Sequence, residues 1–217
     1  MTVHPEAAGE FEAALLEVDR VRAQESLRRM TADHQLVQII ETVIVPVLEK
    51  IGDAWAEGEL ALAQIYMAGR ICEELVEQLF SEQAQDKSGP RAGVRLGIGV
   101  LRDYHLLGKR IVKSMLIASG YSVIDFGGGL SPESLVDKTI EEEVDILLIS
   151  TLMLPSALQV KDVVHRLWDG GRSLPVVVGG APFVMDPGLW KTVGAHAMGR
   201  TASEAIAIVD RLSEEMS

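Results

Sequence analysis

Asp103 and His105, two residues apart in LRDYHLLGKRIV, close an apolar run that begins near Gly93. A carboxylate beside an imidazole fixes which ring nitrogen carries the proton and raises the basicity of the other, the usual arrangement behind a metal-ligating histidine. One histidine is too few for a structural metal site, which takes about four protein ligands. It suits a metal whose remaining positions are already filled by a macrocycle. An ordinary reading stands beside this one, in which the histidine caps a helix or bonds a loop.

Other small and polar residues gather at equivalent places. Ser150, Thr151 and Ser156 follow the apolar run at 144–149, and Gly179-Gly180 follows the run at 174–178. Taken singly, the serines read as helix caps and the glycines as a turn. Taken together they leave an open slot at the strand ends, because glycine lets a ligand approach the backbone closely. Rival motifs do not fit. A phosphate-binding P-loop needs glycine where Asp103 stands and Ser or Thr where Arg110 stands. Gly97 and Gly99 begin a dinucleotide fingerprint, but Arg102 occupies its third glycine position and the pair lies within the apolar run. A phosphorylation receiver would carry an aspartate where this chain has Ser150.

The elements that must position these residues differ between the two halves. From about Phe11 to Phe80 apolar residues recur at helical spacing, which predicts four helices with short connections and a kink or break at Pro46. The polar segment 81–92 reads as a linker, so a helical-bundle domain is expected over 1–88 and an α/β domain over 89–217. In the second half short apolar runs at 93–101, 121–126, 144–149, 174–178 and 195–198 alternate with helical patterns at about 107–119, 132–142, 157–168, 187–193 and 202–214. Gly120 stands where a helix-ending glycine is expected, and Ser131-Pro132 is a helix start. The fold class is therefore α/β: a four-helix bundle cap followed by a flavodoxin-like (Rossmann-like), five-stranded, parallel, doubly wound sheet. In such sheets ligands lie beyond the carboxyl ends of the strands, where the polar residues named above fall.

Acidic residues outnumber basic ones 32 to 20 over 217 residues, a net charge of −12 that disfavours nucleic acid and anionic membrane surfaces as partners. Cys72 is the single cysteine, so neither a disulfide framework nor a thiolate metal cluster is expected. The N-terminal MTVHPEAAGEFEAALL lacks the pattern of a signal peptide and no apolar run is long enough to span a bilayer. A cytoplasmic protein is the expectation.

Three motifs in order, Asp103-Tyr104-His105-Leu106-Leu107-Gly108, Ser150-Thr151-Leu152 and Gly179-Gly180, resemble the D-x-H-x-x-G, S-x-L and G-G pattern of the cobalamin-binding corrinoid proteins of methyltransferase systems, which are related to the cobalamin module of methionine synthase. The stretches YSVIDFGGGLSPESLV, VVVGGAPF and IGDAWAEGELALAQIYMAG extend the resemblance over nearly the whole chain.

The resemblance implies that His105 binds cobalt from the lower face in place of dimethylbenzimidazole, the base-off/His-on state. The displaced tail then enters a slot lined by Ser150, Leu152, Gly179 and Gly180. Asp103 and Ser156 would complete a proton relay behind His105, with Tyr104, Leu106, Leu107, Gly108 and Leu154 around the corrin and Trp55, Ile65 and Met67 of the bundle on its upper face. Arg102, Leu106 and Leu154 depart from the residues usual in the family, which bears on polar contacts at the corrin rim; Arg102, Lys109 and Tyr104 are further candidates for contacts to corrin amides. His4, His34, His165 and His196 have no matching context.

The implied function is a methyl carrier: Co(I) accepts a methyl group from a small methylated substrate through one methyltransferase, and a second passes it on. Implied partners are a substrate-specific methyltransferase, an acceptor methyltransferase and a reductive activator, with a homodimer left open. The alternative is a cobalamin-dependent sensor of light or redox state. Its usual tryptophan followed by Glu-His is not matched here, since Trp55 is followed by Gln-Ile-Tyr-Met at 64–67. A carbon-skeleton mutase subunit would share the motifs without the bundle.

Overall fold

A computed structural model describes residues 5–83 and 93–216. They form two compact units, divided between positions 85 and 86. Most of the polar segment read as a linker lies outside the described residues.

The first unit is helical: α1 (Pro5–Leu16), α2 (Arg20–Asp33), α3 (Leu36–Ile39), α4 (Val45–Ala56) and α5 (Leu62–Gln83). Asp19 caps α2 by accepting the Arg22 N–H at 3.0 Å. The expected disturbance at Pro46 takes the form of a π-helical turn, Ile40–Ile44, that joins α3 to α4 without a stop. Proline has no N–H to donate back one turn. The chain widens instead, the Val45 N–H reaching the Ile40 carbonyl, and this keeps Ile39, Ile40, Val43 and Ile44 buried. Phe11, Leu15, Leu27, Ile51 and Leu75 complete the core. Cys72 lies within it, and burial pushes its thiol up to about 12, so it offers no thiolate near neutral pH.

The second unit alternates β1 (Arg95–Val100), α6 (Leu107–Ala118), β2 (Ser122–Asp125), α7 (Pro132–Glu141), β3 (Ile146–Ser150), α8 (Leu154–Leu158), α9 (Val160–Asp169), β4 (Val176–Gly179), α10 (Ala181–Met185), α11 (Leu189–Thr192), β5 (Ala197–Gly199) and α12 (Ala202–Glu215). The strands form one parallel sheet in the order β2-β1-β3-β4-β5, the flavodoxin-like arrangement, which places the switch point between β1 and β3. The helix expected over 157–168 divides into α8 and α9. The one expected near 187–193 is preceded by α10, a short helix with Pro182 in its first turn.

Strand alternation sends side chains to two core layers. Leu147, Ile149, Val176 and Val178 pack with Leu135, Val160, Val163, Leu167 and Phe183. Leu96, Ile98, Leu148 and Val177 pack with Leu116 of α6 and Val209 and Leu212 of α12. Gly97 and Gly99 face the first of these layers: a Cβ on Gly97 would meet Phe126 at 2.7 Å and one on Gly99 would meet Leu130 at 2.8 Å. Among the described residues no helix is long and apolar enough to cross a membrane.

Candidate functional site

The chain leaves β1 through a sharp turn. Arg102 takes a left-handed backbone, φ 53°, with its N–H on the Leu130 carbonyl at 2.9 Å and its Nε–H on Gln159 Oε1 at 3.0 Å. The turn points Asp103 inward, where the residue is 5% exposed, and leaves the His105 side chain 64% exposed.

Asp103 Oδ1 accepts three hydrogen bonds, from the N–H groups of Tyr104 at 2.7 Å and His105 at 3.1 Å and from His105 Nδ1 at 2.6 Å. Burial opposes ionisation of this carboxyl, but the ring and backbone donors of His105 and the Tyr104 N–H outweigh it and hold the group below the usual carboxylate range. An ionised carboxylate only accepts, so Nδ1 carries a proton toward Asp103 and the second ring nitrogen, Nε2, is the one left for a further partner. Asp103 Oδ2 accepts the Leu152 N–H at 3.2 Å, tying the loop after β1 to the end of β3 across the switch point.

Ser156, expected to complete the relay, is buried in the first turn of α8, but Asp103 is not bonded to it. The Leu152 N–H, four residues earlier where the chain has just left β3, is the donor to Asp103 Oδ2. Lys109, a candidate for the corrin rim, is turned inward and ion-paired with Asp125.

The strand register sets Ser150 and Gly179, two of the residues expected to line a slot, side by side. Val100, Ser150, Gly179 and Gly199 are successive partners across β1, β3, β4 and β5. Leu148 and Val177, two positions before Ser150 and Gly179, belong to the layer beneath α6 and α12, so this row ends that face of the sheet. On the α6 side, a Cβ added to Gly108 would have nothing nearer than Ser150 Oγ at 3.9 Å; at the other end, one on Gly199 would press on Ala205 of α12 at 3.2 Å. Gly180 has φ 112° and its backbone lies directly on that of Thr151, so no side chain fits there. The sequence reading named Ser150, Gly179 and Gly180; Gly199, which follows the fifth apolar run and pairs with Gly179, was not named.

Apolar side chains stand exposed around this edge: Leu152, Met153 and Leu154 after β3, and Tyr104, 79% exposed, beside His105. Leu106 is half-buried against the position a Gly128 Cβ would occupy, and Leu107 opens α6. Trp55 on α4 and Met67 on α5 are exposed side chains of the other unit. Among the described residues no three His, Cys, Asp or Glu side chains gather as a metal site. A metal held at His105 must therefore bring its other ligands with it.

A family model described as a B12 binding domain matches residues 95–209, and a second of the same description matches residues 8–80. The chain belongs to the B12-binding family. A corrinoid protein of Desulfitobacterium hafniense (strain Y51) is 27% identical over 94% of this chain and 95% of its own length. Monomethylamine corrinoid protein 1 of Methanosarcina barkeri is 31% identical over 73% of this chain and 74% of its own. The solved structure of a Methanosarcina barkeri monomethylamine corrinoid protein superposes with a TM-score of 0.82, at 27% identity over 94% of this chain and 97% of that one. The residues of this B12-binding chain fit such a cofactor on two counts. One exposed imidazole bonded to a carboxylate suits a metal already held in a macrocycle, and Ser150, Gly179 and Gly199 at the sheet edge carry small side chains or none, the residue types that let an extended arm approach the backbone.

Proposed function

We infer that this chain is the corrinoid carrier of a methyl-transfer system, working with one methyltransferase that loads it from a small methylated donor and another that unloads it. The relatives named for trimethylamine and monomethylamine support methylamines as the donor class. A bound corrinoid supplies a cobalt centre able to take up and release a methyl group. The protein's residues do the rest. His105 Nε2 is the lower ligand, in the base-off/His-on state; Asp103 holds the proton on Nδ1, and the Leu152 N–H holds Asp103. Ser150, Gly179 and Gly180, with Gly199 beside them, would line the path of the displaced nucleotide arm, and Leu152 and Leu154 would offer apolar contact beside it. With substrate activation left to the methyltransferases, the carrier needs a reductive activator to return its metal to the reduced state.

The observation that carries this reading is the Asp103–His105 pair, with its free ring nitrogen exposed at the β1/β3 switch point. The test is the visible spectrum of protein loaded with hydroxocobalamin, beside His105→Ala and acid-released cofactor. A histidine-ligated spectrum that moves to the base-off form in the variant is expected. Identical spectra for the two proteins remove His105 as the ligand.

A further inference from the structure

Three consecutive glycines, Gly127-Gly128-Gly129, follow β2, and the segment they occupy holds both ends of the His105 loop. At one end, the Gly129 N–H donates to the Asp103 carbonyl at 2.6 Å, and Gly128 and Gly129 lie under Leu106 and Tyr104. A Cβ on Gly129, whose φ is 69°, would come within 2.6 Å of two Tyr104 ring carbons and its hydroxyl oxygen; one on Gly128 would meet Leu106 Cδ2 at 2.7 Å. Flanking bonds extend this contact along the chain: the Val100 N–H reaches the Gly127 carbonyl at 3.0 Å, and the Arg102 N–H reaches that of Leu130 at 2.9 Å.

At the other end, Lys109, in the first turn of α6, is 3% exposed and ion-paired with Asp125, the last residue of β2. The same Asp125 Oδ1 accepts the Gly127 N–H at 2.9 Å, and Oδ2 accepts from Lys113 at 3.0 Å. One carboxylate thus joins the start of the ligand helix to the start of the glycine bed. Burying an ammonium for stability alone is poor economy, since a well-packed apolar pair of similar volume is often as stable or more so. A charged, directional bond does what an apolar pair cannot: it fixes one register between two segments.

Resting on the reading that His105 is the lower ligand, we propose that Lys109, Asp125 and the Gly127–Gly129 segment are positioning residues that set the place of His105 Nε2, and so the strength with which it holds the corrinoid's metal. They touch neither ligand nor metal. Their effect passes through the Asp103 carbonyl at one end of the loop and the first turn of α6 at the other.

The experiment loads the full chain with cob(II)alamin and reads the electron paramagnetic resonance spectrum, in which an axial nitrogen splits the cobalt lines, alongside thermal unfolding. Four proteins are compared: wild type, His105→Ala, Gly129→Ala, and the double variant Lys109→Met/Asp125→Leu, which removes both charges and the acceptor of the Gly127 N–H. The expected result is nitrogen splitting in wild type and none in His105→Ala. Gly129→Ala and the double variant bind the cofactor with the ratio of His-on to His-off lowered about tenfold, the lower end of what loss of an outer partner of a metal ligand costs. The double variant should unfold no earlier than wild type. Full wild-type splitting in Gly129→Ala and the double variant overturns the inference, leaving the ligand assignment intact. Absence of histidine-dependent splitting in wild type overturns the ligand assignment itself, and this inference with it.

Discussion

Replacing Asp125 by asparagine removes a charge that three donors hold, Lys109, the Gly127 N–H and Lys113. Burial alone would push this carboxyl up, yet those bonds outweigh it and lower it from 3.8 to about 2. Discounted for solvent screening of a partly exposed carboxylate, that lowering corresponds to about 1 kcal/mol of folding stability. The sign follows from the direction. A carboxylate depressed in the folded state contributes fully above its unfolded value near 3.8, and the contribution is lost as pH falls toward 2. At pH 7 Asp125→Asn is therefore expected to lose about 1 kcal/mol, with a further loss from the buried Lys109 left without its counter-charge. The gap to wild type should close between about pH 4 and pH 2. Urea unfolding followed at Trp190, which packs on the sheet core, in a Trp55→Phe/Trp168→Phe background reads the α/β unit directly. A loss below about 0.5 kcal/mol at pH 7, or a gap that persists unchanged to pH 2.5, would refute the assignment of stability to this ion pair.

Three further outcomes are expected. Arg102→Gly should stabilise the α/β unit by about 0.5–1 kcal/mol, because relief of a left-handed backbone exceeds the exposed bond to Gln159 and the added freedom of the unfolded glycine; a lower urea midpoint would contradict this. Thr151 Oγ1 is buried without a hydrogen-bond partner, so Thr151→Val should raise stability by about 1 kcal/mol, and an unchanged or lower melting temperature would show that the hydroxyl is satisfied in solution. Residues 89–217 alone should bind hydroxocobalamin with the histidine-ligated spectrum, and Trp55→Ala and Met67→Ala in the full chain should leave it unchanged, since the side chains around His105 described above all lie in the second unit; loss of the ligated form in either case would place part of the lower-ligand machinery in the helical unit.

Much of this protein was legible along the chain because the information is local. The change from helical periodicity to alternating short apolar runs separates the helical unit from the parallel sheet. Ser131 caps α7 by accepting the Ser134 N–H, and Gly120 takes φ 91° after α6, as their residue types require. The Asp103–His105 pairing was visible too, since two residues at that spacing can share a hydrogen bond whatever the surroundings. Pro46 announced a disturbance, because its missing N–H is a property of the residue; that the helix widened rather than stopped depended on the burial of its neighbours.

What only the tertiary structure decided are relations between residues far apart in sequence. Leu152, 49 positions from Asp103, donates its N–H to the carboxylate because pairing of β1 with β3 brings its amide to that edge. Gly199 joins Ser150 and Gly179 only through the register of three strands. Lys109 carries a surface residue's charge yet lies inside, because Asp125 arrives beside it on β2. Residue type and spacing set which local bonds a segment can make; which distant groups meet depends on how the strands pair, and a single sequence carries no local signal for that.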